Sequence, residues 1–230
     1  MPTSLLEIET ALDAIVFDFD GVILESADVK TKAFRALFAS HPDQVDEIVD
    51  LHERHGGVSR YVKFDMIYRD ILKIPLTPAR KAELGREFER LALDQVVQCP
   101  MVAGARELLD GLRRRVPMTV VSGTPDAELA AIVARRGLDG YFTELHGGSR
   151  EKRAIVADMV RARSWRPQRM IMVGDAITDH DAARANGIPF VGRVAVETVN
   201  PFPPGTVIVA DLREFPAVAR QLSTAGGASV

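Results

Sequence analysis

Two carboxylates one residue apart, in Asp18-Phe19-Asp20-Gly21, follow directly on the apolar run Ala14-Ile15-Val16-Phe17. The run reads as a short buried strand, and Gly21 lets the chain turn sharply after it, so both acids project from the carboxyl edge of a sheet. Ligands of open α/β sheets bind at that edge. Like charges this close repel, and they persist together only if a cation or a shared proton relieves them. The arrangement recurs in Val173-Gly174-Asp175-Ala176-Ile177-Thr178-Asp179, where one carboxylate ends an apolar strand and another opens the next helix. Asp179 alone would serve as a helix N-cap, which leaves Asp175 without a role. In a parallel sheet all such strand ends share one edge, so Asp18, Asp20, Asp175 and Asp179 can converge from distant parts of the chain. An all-oxygen set with no His or Cys nearby suits a hard cation, and Mg²⁺ where the substrate is a phosphate.

Two further elements lie between the acid pairs. Val120-Val121-Ser122-Gly123-Thr124-Pro125 is another apolar strand ending in a hydroxyl and a glycine, with a proline at the start of a helix. Backbone N–H groups and side-chain donors in such a turn hold a phosphoryl oxygen, although Ser-Gly-Thr turns are also common caps. Lys152, in Gly148-Ser149-Arg150-Glu151-Lys152-Arg153, opens a helix, where a cation between two acid clusters could fix a nucleophilic carboxylate and screen phosphate charge, although a solvated surface lysine is the commoner reading of any single Lys. Arg150 and Arg153 compete with it for that part.

The elements that must position these residues follow from periodicity. From residue 100 onward, helical patterns at 104–115, 126–136 and 179–186 alternate with the apolar runs 118–121 and 170–173, and Phe190-Val191 and Val207-Ile208-Val209 add later strands. That alternation marks βαβ units on a parallel sheet. Residues 28 to 98 instead carry helical periodicity throughout, with Phe34, Leu37 and Phe38, then Phe64, Ile67, Ile71 and Leu72, then Leu84, Phe88 and Leu91. A helical block between the first strand and the rest of the sheet reads as an inserted second domain. The expected division is core 1–27, inserted cap 28–99, core 100–222 and a frayed tail 223–230.

Composition narrows the partners. Among 230 residues, 29 Lys and Arg against 32 Asp and Glu leave a net charge of −3, so no basic field recruits nucleic acid or an anionic membrane. A small ligand is the better expectation. Cys99, the single cysteine, cannot form an internal disulfide, and the first twenty residues lack a basic leader while no apolar run approaches a bilayer span. The expectation is a soluble cytoplasmic protein, a monomer or small homo-oligomer.

With these four elements in this order, the chain resembles the haloacid dehalogenase-like superfamily, in the subgroup with a helical cap after the first strand that includes phosphoglycolate phosphatases and β-phosphoglucomutases. The resemblance covers nearly the whole chain, and Ala182-Ala183 and Asn186-Gly187 extend the last motif as the family does. It implies an α/β fold, a Rossmann-like parallel sheet core with an inserted all-helical cap domain. It further implies phosphoryl transfer through an aspartyl-phosphate. Asp18 would be the nucleophile and Asp20 the acid/base, with Ser122, Lys152, Gly21, Gly123 and Thr124 around the phosphate. Mg²⁺ would be held by Asp18, Asp175 and the Asp20 main-chain carbonyl, supported by Asp179. A dehalogenase needs no proton donor at the second acid, so Asp20 points to a phosphate ester. The cap segment His52-Glu53-Arg54-His55-Gly56-Gly57-Val58-Ser59-Arg60 is the expected leaving-group contact, with Arg60 and His55 as candidates. Its Gly57-Val58-Ser59-Arg60 stretch resembles the mutase cap loop. Lys30 stands where the mutase pattern has a histidine, which weighs against a mutase. The expected function is therefore a Mg²⁺-dependent phosphatase of a sugar phosphate or phosphoglycolate-like acid; a sugar phosphomutase and a non-catalytic binding subunit are the alternatives.

Overall fold

The computed structural model describes residues 8–196 and 198–226. Its centre is a six-stranded, all-parallel sheet formed by β1 (Ala14–Phe17), β2 (Met118–Val121), β3 (Glu144–His146), β4 (Met170–Gly174), β5 (Phe190–Arg193) and β6 (Ile208–Val209), in the order β3-β2-β1-β4-β5-β6. The α/β reading of the sequence, with a Rossmann-like parallel core, is what the structure has. Strands β1, β2 and β4 are buried along their whole length, which is why they appear as unbroken apolar runs. Alternate residues of β1 feed opposite faces. Ala14 and Val16 pack with Ile155, Val156 and Met159, whereas Ile15 and Phe17 pack with Leu108, Leu109, Leu112 and Phe215.

The order reverses between β1 and β4, since the chain runs outward from β1 through β2 to β3 and then returns to the other side. That switch point is where an open parallel sheet leaves a crevice at its carboxyl edge. The core helices are α5 (Ala105–Leu112), α6 (Asp126–Arg135), α7 (Lys152–Arg163), α8 (Ile177–Ala185) and α9 (Phe215–Gly226), and between β1 and β2 lie α1 (Ala27–Leu37), α2 (Val45–Arg54), α3 (Arg60–Met66) and α4 (Pro78–Gln98). A wider π-type turn, Ile67–Leu72, extends α3 and ends at Lys73 in the left-handed conformation, φ 56°. Helix α4 starts where its sequence says it should: Thr77 Oγ1 accepts from the Arg80 N–H at 3.2 Å and Pro78 occupies the first turn. The interior of this helical block is aromatic, built from buried Phe34, Phe38, Phe64 and Phe88.

Three local expectations differ from the structure. Strand β3 has no apolar run to announce it; it is short, half-buried, and reaches the sheet through pairing with β2. Helix α8 begins at Ile177, two residues before Asp179, because the Asp179 side chain bonds back to the Ala176 N–H and caps the helix from inside its first turn. Helix α9 continues through Gly226, so residues 223–226 of the expected frayed tail are helical, and 227–230 lie outside the described residues. Among the described residues no helix is long and apolar enough to cross a membrane.

Candidate active site

Strand register assembles the acids. Phe17 pairs with Val173 across β1 and β4, and the Asp18 N–H donates to the Val173 carbonyl at 2.8 Å, so the residues just beyond both strands lie side by side. Carboxylate oxygens of Asp18, Asp175 and Asp179 all lie within 4.8 Å of one another. The Lys152 ammonium at the start of α7 is 3.0 Å from Asp18 Oδ2 and 2.6 Å from Asp179 Oδ1, with all three side chains almost wholly buried. Arg150 and Arg153 point elsewhere, to Asp158 and Glu151 on the surface, so of the three cations Lys152 is the one beside the acid cluster. Gly21 has a steric reason beside its φ of +76°: a Cβ there would sit 1.9 Å from Asp175 Oδ2. Only glycine admits the carboxylate.

Asp20 belongs to a different group. Its carboxylate turns away from the three acids and accepts from Lys30 Nζ at 2.5 Å, Ser26 Oγ at 2.6 Å, Thr124 Oγ1 at 2.8 Å and Ser122 Oγ at 3.3 Å. Its side chain is thus no member of the acid cluster, and only its main chain is left for the metal role expected of it. Ser122 Oγ also accepts from the Thr124 N–H at 3.1 Å, which fixes the β2 turn.

These groups border a cavity of about 1080 Å³ between the sheet edge and the helical block, with Asp18, Asp20, Lys30, Gly123, Thr124 and Asp175 in its wall. The block's loop rests directly on the strand ends. Thr178 Oγ1 donates to the Gly56 carbonyl at 3.1 Å, and a Cβ on Gly123 would come within 2.6 Å of the Gly57 carbonyl. Arg60 also lines the cavity, but its guanidinium is ion-paired to buried Glu128 on α6 and lies 4.6 Å over the Phe88 ring. His55 does not reach the cavity: its Nδ1 lies 2.9 Å from the Leu51 carbonyl at the end of α2, and His52, one turn earlier, faces the cavity in its place.

Sequence reasoning missed several neighbours. The grip of Lys30 on Asp20 has no sequence signal beyond its position in a pattern, because a lysine in a first helical turn reads as solvated. Glu128 and Ser26 are equally silent. Arg193 was findable. It ends β5 at the same carboxyl edge, where its guanidinium bonds the Gly21 carbonyl at 3.2 Å and Glu25 at 2.7 Å, tying down the loop after β1.

Electrostatics separates the two acids of the first motif. Burial, then repulsion from Asp179 and Asp20, carries Asp18 up to about 7 against the partial offset of Lys152. Burial and the charges of Asp18 and Asp179 likewise push Asp175 well above the ordinary carboxylate value. Burial pushes Asp20 up too, but the Lys30 charge and the hydrogen bonds of Lys30, Ser26 and Thr124 outweigh it and hold the group at about 2. Burial opposes the Lys152 ammonium, yet Asp179 and Asp18 more than offset it.

The sign for stability follows. A carboxylate whose folded pKa exceeds its unfolded value binds its proton more tightly when folded, so its contribution is full below about pH 4 and is lost as pH rises through the folded value. In chelated protein, wild type should therefore lose melting temperature relative to Asp18→Asn as pH rises from about 5 to 7. A difference that stays constant or reverses across that window contradicts this assignment.

Comparison with known proteins settles the family. A family model for haloacid dehalogenase-like hydrolases matches residues 12–187. The chain belongs to that family. That family is one of hydrolases. A phosphoglycolate phosphatase of Synechococcus elongatus is 28% identical over 181 residues, covering 77% of this chain and 81% of that protein. A phosphorylated carbohydrates phosphatase of Thermotoga maritima is 23% identical over 184 residues, 77% of this chain and 82% of its own. In structure, CbbY from Rhodobacter sphaeroides in complex with xylulose-1,5-bisphosphate matches with a TM-score of 0.71 at 17% identity, over 88% of this chain and 96% of that one. These structural likenesses support the fold.

Proposed function

We propose that this haloacid dehalogenase-like hydrolase is a Mg²⁺-dependent phosphatase of a small phosphorylated metabolite, a sugar phosphate or a phosphoglycolate-like acid, acting through an aspartyl-phosphate on Asp18. The observation that carries the reading is the convergence of Asp18, Asp175 and Asp179 within 4.8 Å, locked by Lys152. A hard cation fits this donor set, which is all oxygen and whose burial and mutual repulsion raise Asp18 and Asp175. Asp18, Asp175 and the Asp20 main-chain carbonyl would hold it, with Asp179 in support. When bound, the metal would neutralise phosphate charge and relieve the repulsion between the phosphate and the attacking carboxylate.

The chain's own groups account for the rest. Asp18 attacks phosphorus through one carboxylate oxygen, the P–O ester bond breaks, and its electron pair leaves on the alkoxide, which takes a proton from Asp20. Water then attacks the acyl phosphate with Asp20 as base, releasing phosphate and restoring Asp18. Lys30 holds Asp20 as a carboxylate, the form needed for the second step. For the first step Asp20 must take up a proton, and an approaching phosphate dianion raises its affinity for one. Lys152, Thr124 and the turn after β2 are placed to hold phosphoryl oxygens as charge spreads. In this reading residues 28–99 act as a cap over a core of 1–27 and 100–222, excluding water from the cavity. The cytoplasm is the expected location.

A panel of phosphate esters assayed with chelator and then with Mg²⁺ tests the proposal. Turnover should fall to background in chelator and return with Mg²⁺, yielding free phosphate. Undiminished turnover in chelator contradicts it, and isomerised sugar phosphate that depends on a sugar bisphosphate would make the protein a mutase.

A further inference from the structure

Four buried or half-buried cations line the cavity, and three of them are already paired. Lys30 pairs with Asp20, Arg60 with Glu128, and Arg193 with Glu25. The fourth, Lys63 on α3, is only 4% exposed and has no carboxylate within ion-pair distance among the described residues. Its ammonium donates to the His52 carbonyl at 2.9 Å and meets His52 Nδ1 at 3.0 Å, 5.7 Å from the Phe34 ring centre. A buried ammonium with no carboxylate in contact is costly, Asp175 and Asp20 act on it only from a distance, and an anion brought to it would offset that cost.

The His52–Lys63 pair has donors to spare. Lys63 carries three N–H bonds and His52 uses two of them. Burial, then the charges of Lys63 and Lys30, keeps the His52 ring neutral, so with Lys63 donating to Nδ1 the ring proton sits on Nε2. The ring is fixed by stacking on Phe34, with centroids 4.1 Å apart. Both side chains face the cavity that also holds Asp18 and Asp20. The third Lys63 N–H and the His52 Nε2–H are thus two neighbouring donors, one of them cationic when Lys63 is protonated, with no hydrogen-bond partner among the described residues. Two donors on one side suit the two oxygens of a carboxylate or a phosphate.

We propose that Lys63, supported by His52, binds a second anionic group on the leaving group and thereby selects phosphate esters that carry a further carboxylate or phosphate. Arg60 does not have this role in the arrangement seen, since Glu128 already neutralises it. Burial and Lys30 hold Lys63 down at about 7, a position from which an incoming anion restores its full charge. The inference rests on the phosphatase reading and names the substrate class of that same cavity.

Two ester pairs test it: 2-phosphoglycolate against ethyl phosphate for the carboxylate, and a hexose bisphosphate against the hexose monophosphate for the second phosphate. Wild type should favour the charged member of at least one pair by about tenfold or more in kcat/KM, through KM, as a charge-assisted hydrogen bond warrants. Lys63→Met should collapse that preference by about ten- to a hundredfold and should melt no lower than wild type, since it replaces a buried unpaired charge by an apolar chain of similar length. Equal use of both members in both pairs by wild type, or an unchanged preference in the variant, overturns the inference. Were the Met variant not to fold, Lys63→Gln would carry the same comparison, and the wild-type ratios decide on their own. Asp18→Asn separates the failures: if it abolishes turnover of all esters while Lys63→Met leaves the preference intact, the phosphatase reading stands and only the anion site falls.

Discussion

Asp18→Asn should reduce kcat/KM for every phosphate ester by about 10⁴-fold or more, because the amide cannot form the acyl phosphate and no other carboxylate is placed to replace it. The loss should be the same for good and poor leaving groups. Asp175 and Asp179 lie within 4.8 Å, but Asp179 is tied to Lys152 and to the Ala176 N–H, and Asp175 packs over the bare Cα of Gly21. The variant should still fold, since it removes a carboxylate that burial makes costly at neutral pH. Steady-state kinetics and a melting curve on one preparation check both halves. Retained turnover would remove Asp18 from the chemistry, and an unfolded variant would mean that its ion pair with Lys152 is structural.

Lys152→Met should lower turnover by about 10³-fold and destabilise the chelated protein by about 3–5 kcal/mol, the scale for leaving a buried charge without its partner. The ammonium is 5% exposed and serves two carboxylates, Asp18 at 3.0 Å and Asp179 at 2.6 Å, so its removal strands both. The destabilisation should deepen as pH rises, because the stranded acids are easiest to bury when protonated. Urea midpoints at two pH values measure it. Arg150→Met provides the contrast: that side chain is 56% exposed and bridges only to surface Asp158, so the variant should resemble wild type in both respects.

The contrast between Lys152 and Arg150 shows what the sequence could convey. Strand-end carboxylates are legible because the apolar run before them fixes their place at one sheet edge, and the parallel register does the rest: Phe17 opposite Val173 brings Asp18 to Asp175. The helical block is legible through its apolar spacing, and Phe34, Phe64 and Phe88 are indeed its core. What periodicity does not encode is where a polar side chain on a helix points. Lys30 and Lys63 each look like solvated helix lysines, yet one grips Asp20 and the other lies buried against His52. Arg60 and His55 were sensible candidates in a glycine-broken segment. Glu128 and the Leu51 carbonyl, which occupy them, sit 68 positions away in sequence in one case and one helical turn away in the other. Strand β3 escaped for the same reason, because its residues are half-buried and its place comes from pairing with β2.

The central claim is a covalent phosphoryl group on one named carboxylate. Quenching the enzyme during turnover of a good ester with Mg²⁺, reducing any acyl phosphate with borohydride, and sequencing the peptides by mass spectrometry tests it directly. Conversion of residue 18 from aspartate to homoserine, absent in Asp18→Asn and absent without substrate, is the result expected. Homoserine at another aspartate, or none while phosphate is being released, would contradict the mechanism.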